Sequence, residues 1–304
     1  MNCLKCQLQI DHPSLAHYGL HPDCFIQWFK TPVTAEFVSL QRRSSASDQS
    51  DNQTTQNTSF FHGKFKKYSA ELDGQSYILK MRQNEAPELP EVEYLCNQMG
   101  KLLGVSVAEF YFIDFNGDRT FVTKNFIKSG SSPTDLQHIY HFRSDDKHSC
   151  EGIISVISKK TQRPHDVKMF IRTILFDSLI GNHDRHGRNL AFIITANNIS
   201  LSPIYDNVSY LSLESGNMLK ADFNPAGKIS TSETFEPKMH DYVKELKKLG
   251  YEEDIQEFYK NIKLPHLYQI IDESFCSILM KEAIKALVNK RFKELKNELF
   301  NQTR

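Results

Sequence analysis

No apolar run in the 304 residues approaches the roughly 20 needed for a membrane-spanning helix, which argues against an anchor of that kind. Met1 does not open the basic-then-apolar pattern of a signal peptide, and the location expected is cytoplasmic. Net charge is missing as well: 37 Lys and Arg balance 37 Asp and Glu, so bulk electrostatics gives no reason to expect nucleic-acid binding. There is no internal repeat. Glycine is scarce where a phosphate cradle would need it, because the segment 58–67 holds only Gly63 and lacks the several glycines of a typical nucleotide loop. What is present, 39% hydrophobic and 24% charged residues, is the composition of a soluble globular protein with room for a two-lobed core and a small appendage.

Three of the six cysteines stand near the start, with histidines among them. Cys3-x-x-Cys6 and His21-x-x-Cys24 make a Cys₃His set of two short ligand pairs, a spacing that predicts a tetrahedral structural zinc site, with His12 and His17 as possible substitutes. About 30 residues bury too little apolar surface to fold without such a staple. The expected organisation is a zinc knuckle over 1–30 and a polar flexible linker over 31–57, the latter from the Ser, Asp, Gln, Asn and Thr run after Gln41. A small lobe over 58–128 and a large lobe over 129–304 complete it.

The most informative stretch is Gly181-Asn182-His183-Asp184-Arg185-His186-Gly187-Arg188-Asn189, followed by a hairpin and then Tyr205-Asp206-Asn207. An Asp and an Asn five apart on one loop, with a second Asp beyond a hairpin, can hold a hydroxyl nucleophile beside magnesium-bound ATP. Phosphoryl transfer asks for positioning and for cancellation of triphosphate charge, and magnesium takes few protein oxygens. Asp184 is then the base, and Asn189 and Asp206 the magnesium ligands. Apolar residues at helical spacing from Val167 to Leu179 predict a buried helix ending near Gly181, from which the loop hangs.

Upstream, Gln75 to Met81 reads as a strand carrying Lys80 toward the nucleotide phosphates. Glu93, with Glu91 as the fallback, opens a helix and fixes that lysine. Gly63 and Lys67 would bind phosphate, and Asn125 and Phe126 lie where the connection between lobes would meet adenine. Residues 206–237 would form the activation segment, and the last third is helical by pattern, ending in a segment from Ile278 to Phe300.

In this order the motifs resemble the HipA family of bacterial serine/threonine kinase toxins: Gly63 with Lys67, Ile78-Leu79-Lys80, Val92-Glu93-Tyr94-Leu95-Cys96, the loop 182–189, and Ser202-Pro203-Ile204-Tyr205-Asp206. The resemblance implies an α+β, two-lobed kinase fold, a small β-rich lobe and a large helical one, using ATP and magnesium. It departs at Phe65, where family members usually carry Gln. The core starting near residue 58 leaves no room for the extra amino-terminal subdomain of full-length HipA, so the compact HipT form is the nearer likeness. That form implies a small HipS-like protein, a DNA-binding HipB-like antitoxin, and an aminoacyl-tRNA synthetase as substrate, tryptophanyl before glutamyl. It also implies autophosphorylation of the phosphate loop, at Ser59 or secondarily Thr58; phosphate there would add nearly two negative charges beside ATP and inhibit.

Two other readings stand beside it. Asp184-Arg185-His186-x-x-Asn189 also resembles the loop of phosphoinositide kinases, although Tyr205-Asp206-Asn207 replaces their Asp-Phe-Gly and no basic amphipathic helix stands out. The other is a kinase-shaped binding module that holds an antitoxin as co-repressor.

Overall fold

The structure, a computed structural model, describes residues 1–43, 67–127, 134–142, 148–187, 189–214, 218–221, 223 and 225–300. An opening strand, β1 (Val38–Arg43), lies antiparallel on β2 (Lys67–Leu72). β2 turns into β3 (Gln75–Met81) through Asp73-Gly74, and β4 (Phe110–Phe115) into β5 (Asp118–Lys124) through Asn116-Gly117. All four turn residues have positive φ, as a two-residue turn requires when its twist must match the strands. The sheet order is β1-β2-β3-β5-β4.

Alternation along β4 sorts its rings to two faces. Phe110 and Phe112 meet Tyr94 of α2 (Leu89–Leu102), with ring centroids 5.5 and 5.0 Å apart. Tyr111 points the other way, 4.5 Å from Phe29 at the end of α1 (Pro22–Phe29). On that second face the first 30 residues share a core with the sheet: Leu4, Ile10, Leu20, Phe25 and Phe29 lie in one buried cluster with Tyr77, Leu79 and Tyr111. The span 31–57, expected from its composition as flexible linker, contains β1, and Phe37 is buried in the same cluster. Backbone pairing to β2 and the apolar Phe37-Val38 entry outweigh the polar residues that follow. Residues 44–57 of that span lie outside the described residues.

The second lobe is helical. α3 (Cys150–Thr161) precedes α4 (Pro164–Ile180), whose buried positions run through Phe170, Ile174, Leu175 and Leu179. Around α4 pack α5 (Met239–Lys248), α6 (Glu252–Asn261) and α8 (Ile278–Phe300), with α7 (Leu264–Glu273) against α8 and α2. A small sheet of β6 (Asp135–His138), β7 (Ala191–Thr195) and β8 (Asn198–Leu201) carries the chain away from and back to the end of α4. The architecture is α+β, a sheet lobe and a helical lobe. Glu88 ties the two together: its carboxylate accepts from the backbone N–H of Ser277 at 2.6 Å and from its hydroxyl at 2.8 Å, just before α8. Among the described residues, no helix is long and apolar enough to cross a membrane.

Candidate active site

α4 ends at Gly181, whose φ of 71° only glycine adopts freely; a Cβ there would stand 2.9 Å from both Leu287 and Tyr210. The loop that follows is shaped by its own amides. Asn182 Oδ1 accepts the N–H of Asp184 at 3.2 Å, the turn that asparagine forms with the residue two ahead. Asn189 spans the loop, donating from Nδ2 to the carbonyl of Asp184 at 2.8 Å and accepting the N–H of His186 at 2.7 Å. Its amide oxygen keeps a second lone pair.

Beneath the loop lies a buried polar network. Arg185, 2% exposed, donates from Nε to Asp177 at 2.8 Å and from Nη1 to the carbonyl of Tyr205 at 2.7 Å, and also reaches Asn207 Oδ1. Despite burial, which disfavours its charge, the Asp177 carboxylate raises the arginine pKa further. Asn207 Nδ2 then donates to Asn97 Oδ1 at 2.9 Å, and Asn97 Nδ2 to the carbonyl of Glu93 at 2.7 Å. The loop is thereby linked to α2.

Above this base four charges meet. Lys80 of β3 pairs with Glu93 of α2 and, at 2.7 Å, with Asp206; Lys67, at the start of β2, reaches Asp206 at 2.5 Å. Two ammonium groups and two carboxylates cancel. Burial would push the Asp206 carboxyl up, but the two lysines outweigh it and hold the group below the usual carboxylate range. Burial pulls Lys67 down, whereas Asp206 and Glu93 together hold Lys80 protonated. Asp206 sits at φ 57°, a left-handed conformation that aspartate tolerates better than most residues and that turns its carboxylate toward the lysines. A cavity of about 190 Å³ opens here, lined by Lys67, Lys80, Asp184, Asp206 and Lys228 among others.

The structure thus brings Asp184, Asp206, Lys80, Glu93 and Lys67 together, with Asn189 held in the same loop. Glu91 turns instead to Arg82. The N–H of Asn125 donates to Ser76 at 3.0 Å, and its carbonyl accepts from Gln75 Nε2 at 3.1 Å, so both its backbone groups are engaged within the small lobe. Neither Asn125 nor Phe126 lines the cavity as described. Thr58, Ser59 and Gly63 lie outside the described residues. No motif in the sequence marks Asn97 or Lys228, whereas Asn182 and Asn207 stand inside the motifs that carry Asp184 and Asp206.

His186 makes the stability of the fold depend on pH. Burial drives its imidazole down to about 4, opposed by Asp184 and reinforced by Lys228, His148 and Arg185. An ordinary histidine titrates near 6.5, so between pH 6.5 and about 4 the unfolded chain takes up a proton that the folded chain refuses. Stability from this residue is therefore intact above 6.5 and falls as pH drops through that window. Melting temperatures measured across it should decline less steeply for His186→Gln than for the wild-type chain, and parallel curves would count against the assignment.

At the amino terminus the ligand atoms of Cys3, Cys6, His21 and Cys24 all lie within 4.8 Å of one another, a grouping that fits a tetrahedral ion. His21 Nε2 donates to the carbonyl of Gln9 at 3.1 Å, which fixes the tautomer and leaves Nδ1 as the ligand atom, 3.4 Å from Cys6 Sγ. His12 bonds Ser14, and His17 bonds the carbonyl of Ala35, so both stand outside the cluster.

The sequence profile of the family described as HipA-like C-terminal domain matches residues 48–287. The Sinorhizobium fredii protein named "Putative kinase Y4dM" is 27% identical over 162 residues, 46% of this chain and 39% of that protein. A Haemophilus influenzae protein named "Putative kinase" is 29% identical over 154 residues, 44% of this chain and 45% of that one, so the matches span less than half of either relative. Among solved structures, the Helicobacter pylori proinflammatory kinase CtkA superposes with a TM-score of 0.62 at 18% identity, over 76% of this chain and 92% of that one. HipA of Shewanella oneidensis, solved with HipB and operator DNA, gives 0.53 at 16%, over 73% and 58%. At such identities the structural likeness speaks for the fold.

Proposed function

From the premise that the chain belongs to the HipA-like C-terminal domain family, and is by that kinship a kinase, we propose that it is an ATP- and magnesium-dependent serine/threonine-protein kinase. The observation that carries this is the convergence of Asp184, Asp206 and Lys80 on one cavity, with Glu93 behind the lysine. Lys80 holds the inner phosphates. Lys67 exchanges Asp206 for phosphate oxygens when nucleotide enters. Asp206 and Asn189 would hold magnesium, which when bound cancels charge on the triphosphate. The acceptor hydroxyl oxygen attacks the γ-phosphorus as the bond to the β-bridging oxygen breaks. ADP leaves with that electron pair, and the hydroxyl proton passes to the Asp184 carboxylate.

The cellular reading is a toxin of a toxin–antitoxin system in the compact HipT manner. It acts on an aminoacyl-tRNA synthetase, tryptophanyl before glutamyl, and is restrained by a HipB-like antitoxin, a HipS-like protein and phosphate on Ser59. Support for a partnership of this kind comes from the likeness to a HipA solved with HipB. The test is incubation of the chain and of Asp206→Asn with γ-labelled ATP and magnesium, alone and with each synthetase, followed by mass spectrometry. A labelled synthetase serine, absent with the variant, is the expected result, with label on Ser59 as the mark of self-inhibition. ATP binding without transfer to either synthetase would overturn the substrate reading.

The Cys₃His cluster is read as a structural zinc site, on the donor set and the His21–Gln9 contact. Elemental analysis should return one zinc per chain and none for Cys24→Ala. Because the knuckle shares its core with the sheet, stripping the metal should lower the melting temperature by about 10 °C.

A further inference from the structure

The charges described so far serve one end of the nucleotide. Lys67 and Lys80 gather on Asp206 and Glu93, and Arg185 is buried against Asp177, away from the acceptor. In-line transfer also concentrates charge at the γ-phosphoryl group beside the base, where a fixed cation has its largest effect. Among the lysines and arginines that line the described cavity, one remains: Lys228, whose Nζ is paired with Asp184 Oδ1.

Lys228 is not an ordinary surface lysine, since the backbone on either side of it is built in. Before it, the carbonyl of Pro225 accepts from Arg291 Nη2 at 2.8 Å, and Arg291 is 0% exposed. Gly227 passes so close to Tyr242 that a Cβ would fall 2.0 Å from its hydroxyl, and its N–H donates to Pro237 at 2.7 Å. After it, the same Tyr242 hydroxyl donates to the carbonyl of Ile229 at 2.9 Å. Ser230 is then bracketed, donating to the carbonyl of His148 and accepting from the N–H of Cys150. Between these anchors the lysine side chain is about half exposed and faces the cavity mouth with Asp184. A rigid loop holding one mobile cation over the base is the geometry of a charge clamp.

We infer that Lys228 is a catalytic residue of the phosphoryl transfer, shared between Asp184 and the γ-phosphoryl oxygens. In the resting site it holds the base; as charge builds on the transferring group it bonds those oxygens and frees the carboxylate to take the acceptor proton. This rests on the kinase reading and adds to it a cation from outside the catalytic loop.

The test is the rate of label transfer from γ-labelled ATP, to the chain itself, to the synthetases and to water, at saturating and limiting ATP. Lys228→Met should lower the saturated rate about a hundredfold. The half-saturating ATP concentration should change less than threefold, and the melting temperature should not change. Lys228→Arg, which keeps the charge, should recover at least a tenth of the wild-type rate. Added to Asp184→Asn, Lys228→Met should cost less than threefold more, because residues acting as a unit are not additive. A Met variant within threefold of wild type, an effect confined to the ATP concentration dependence, or an Arg variant as poor as Met would overturn the assignment. If the wild-type chain binds ATP yet transfers label to none of these acceptors, the kinase reading fails and the role of Lys228 falls with it.

Discussion

Replacing Asp184 by Asn should slow phosphoryl transfer about a thousandfold while leaving nucleotide affinity within a factor of three. The side chain is 49% exposed, and its ion pair is to Lys228, itself half exposed, so its loss costs little folding free energy. Asparagine keeps the shape and loses the negative charge, and with it the ability to accept a proton. The loop does not depend on that carboxylate, because its form is set through Asn182 Oδ1, the backbone of Asp184 and the amide of Asn189. In the proposed function ATP is held elsewhere, by Lys80 and Lys67. The comparison is single-turnover transfer against a fluorescent-nucleotide titration on the same protein. A variant that keeps a tenth of the wild-type rate would remove Asp184 as the base, and one that loses nucleotide binding would show the loop to be less independent than its hydrogen bonds indicate.

The second large effect lies below the site. Arg185→Met should destabilise the chain by about 3–5 kcal/mol, the usual result of taking one member from a buried ion pair. Asp177 would keep only its bond from Asn182, and the carbonyl of Tyr205 and the amide of Asn207 would lose a charged donor together. Urea unfolding gives the number. The double variant Arg185→Met with Asp177→Leu separates two causes: if the cost is an orphaned carboxylate, the pair of changes should cost less than their sum. A loss below about 1 kcal/mol for the single change would mean that water or a shift of the loop replaces the guanidinium.

Much of this site could be read before any coordinates because its chemistry is local in sequence. Asp184 and Asn189 share a loop, the helix before it repeats apolar residues at helical spacing, and Asp73-Gly74 and Asn116-Gly117 announce their hairpins. Strand β3 and its Lys80 were legible for the same reason. What escaped was contact between distant segments, which leaves no periodicity behind. Lys67 meets Asp206 across 139 positions, and Asn207 meets Asn97 across 110. β6 finds β7 more than fifty residues downstream. Val38–Arg43 borrowed its order from β2, so its own composition read as linker. Asn125 follows β5 in the chain, but its backbone partners are Gln75 and Ser76, the first residues of β3.

The aromatic seam between the first 30 residues and the sheet bears on how the protein can be handled in the laboratory. Phe29 lies edge-on to Tyr77 and against Tyr111, and Phe25 stacks behind it, so trimming the chain to its kinase portion at residue 31 would strip one whole face of the sheet and present those rings to water. A shortened version would be expected to precipitate or to associate through that face. If the proposed zinc site is correct, oxidants that consume the Cys6 thiol, the exposed member of the cluster, would reach the same outcome without cutting the chain, and reductant in the purification buffer would protect it.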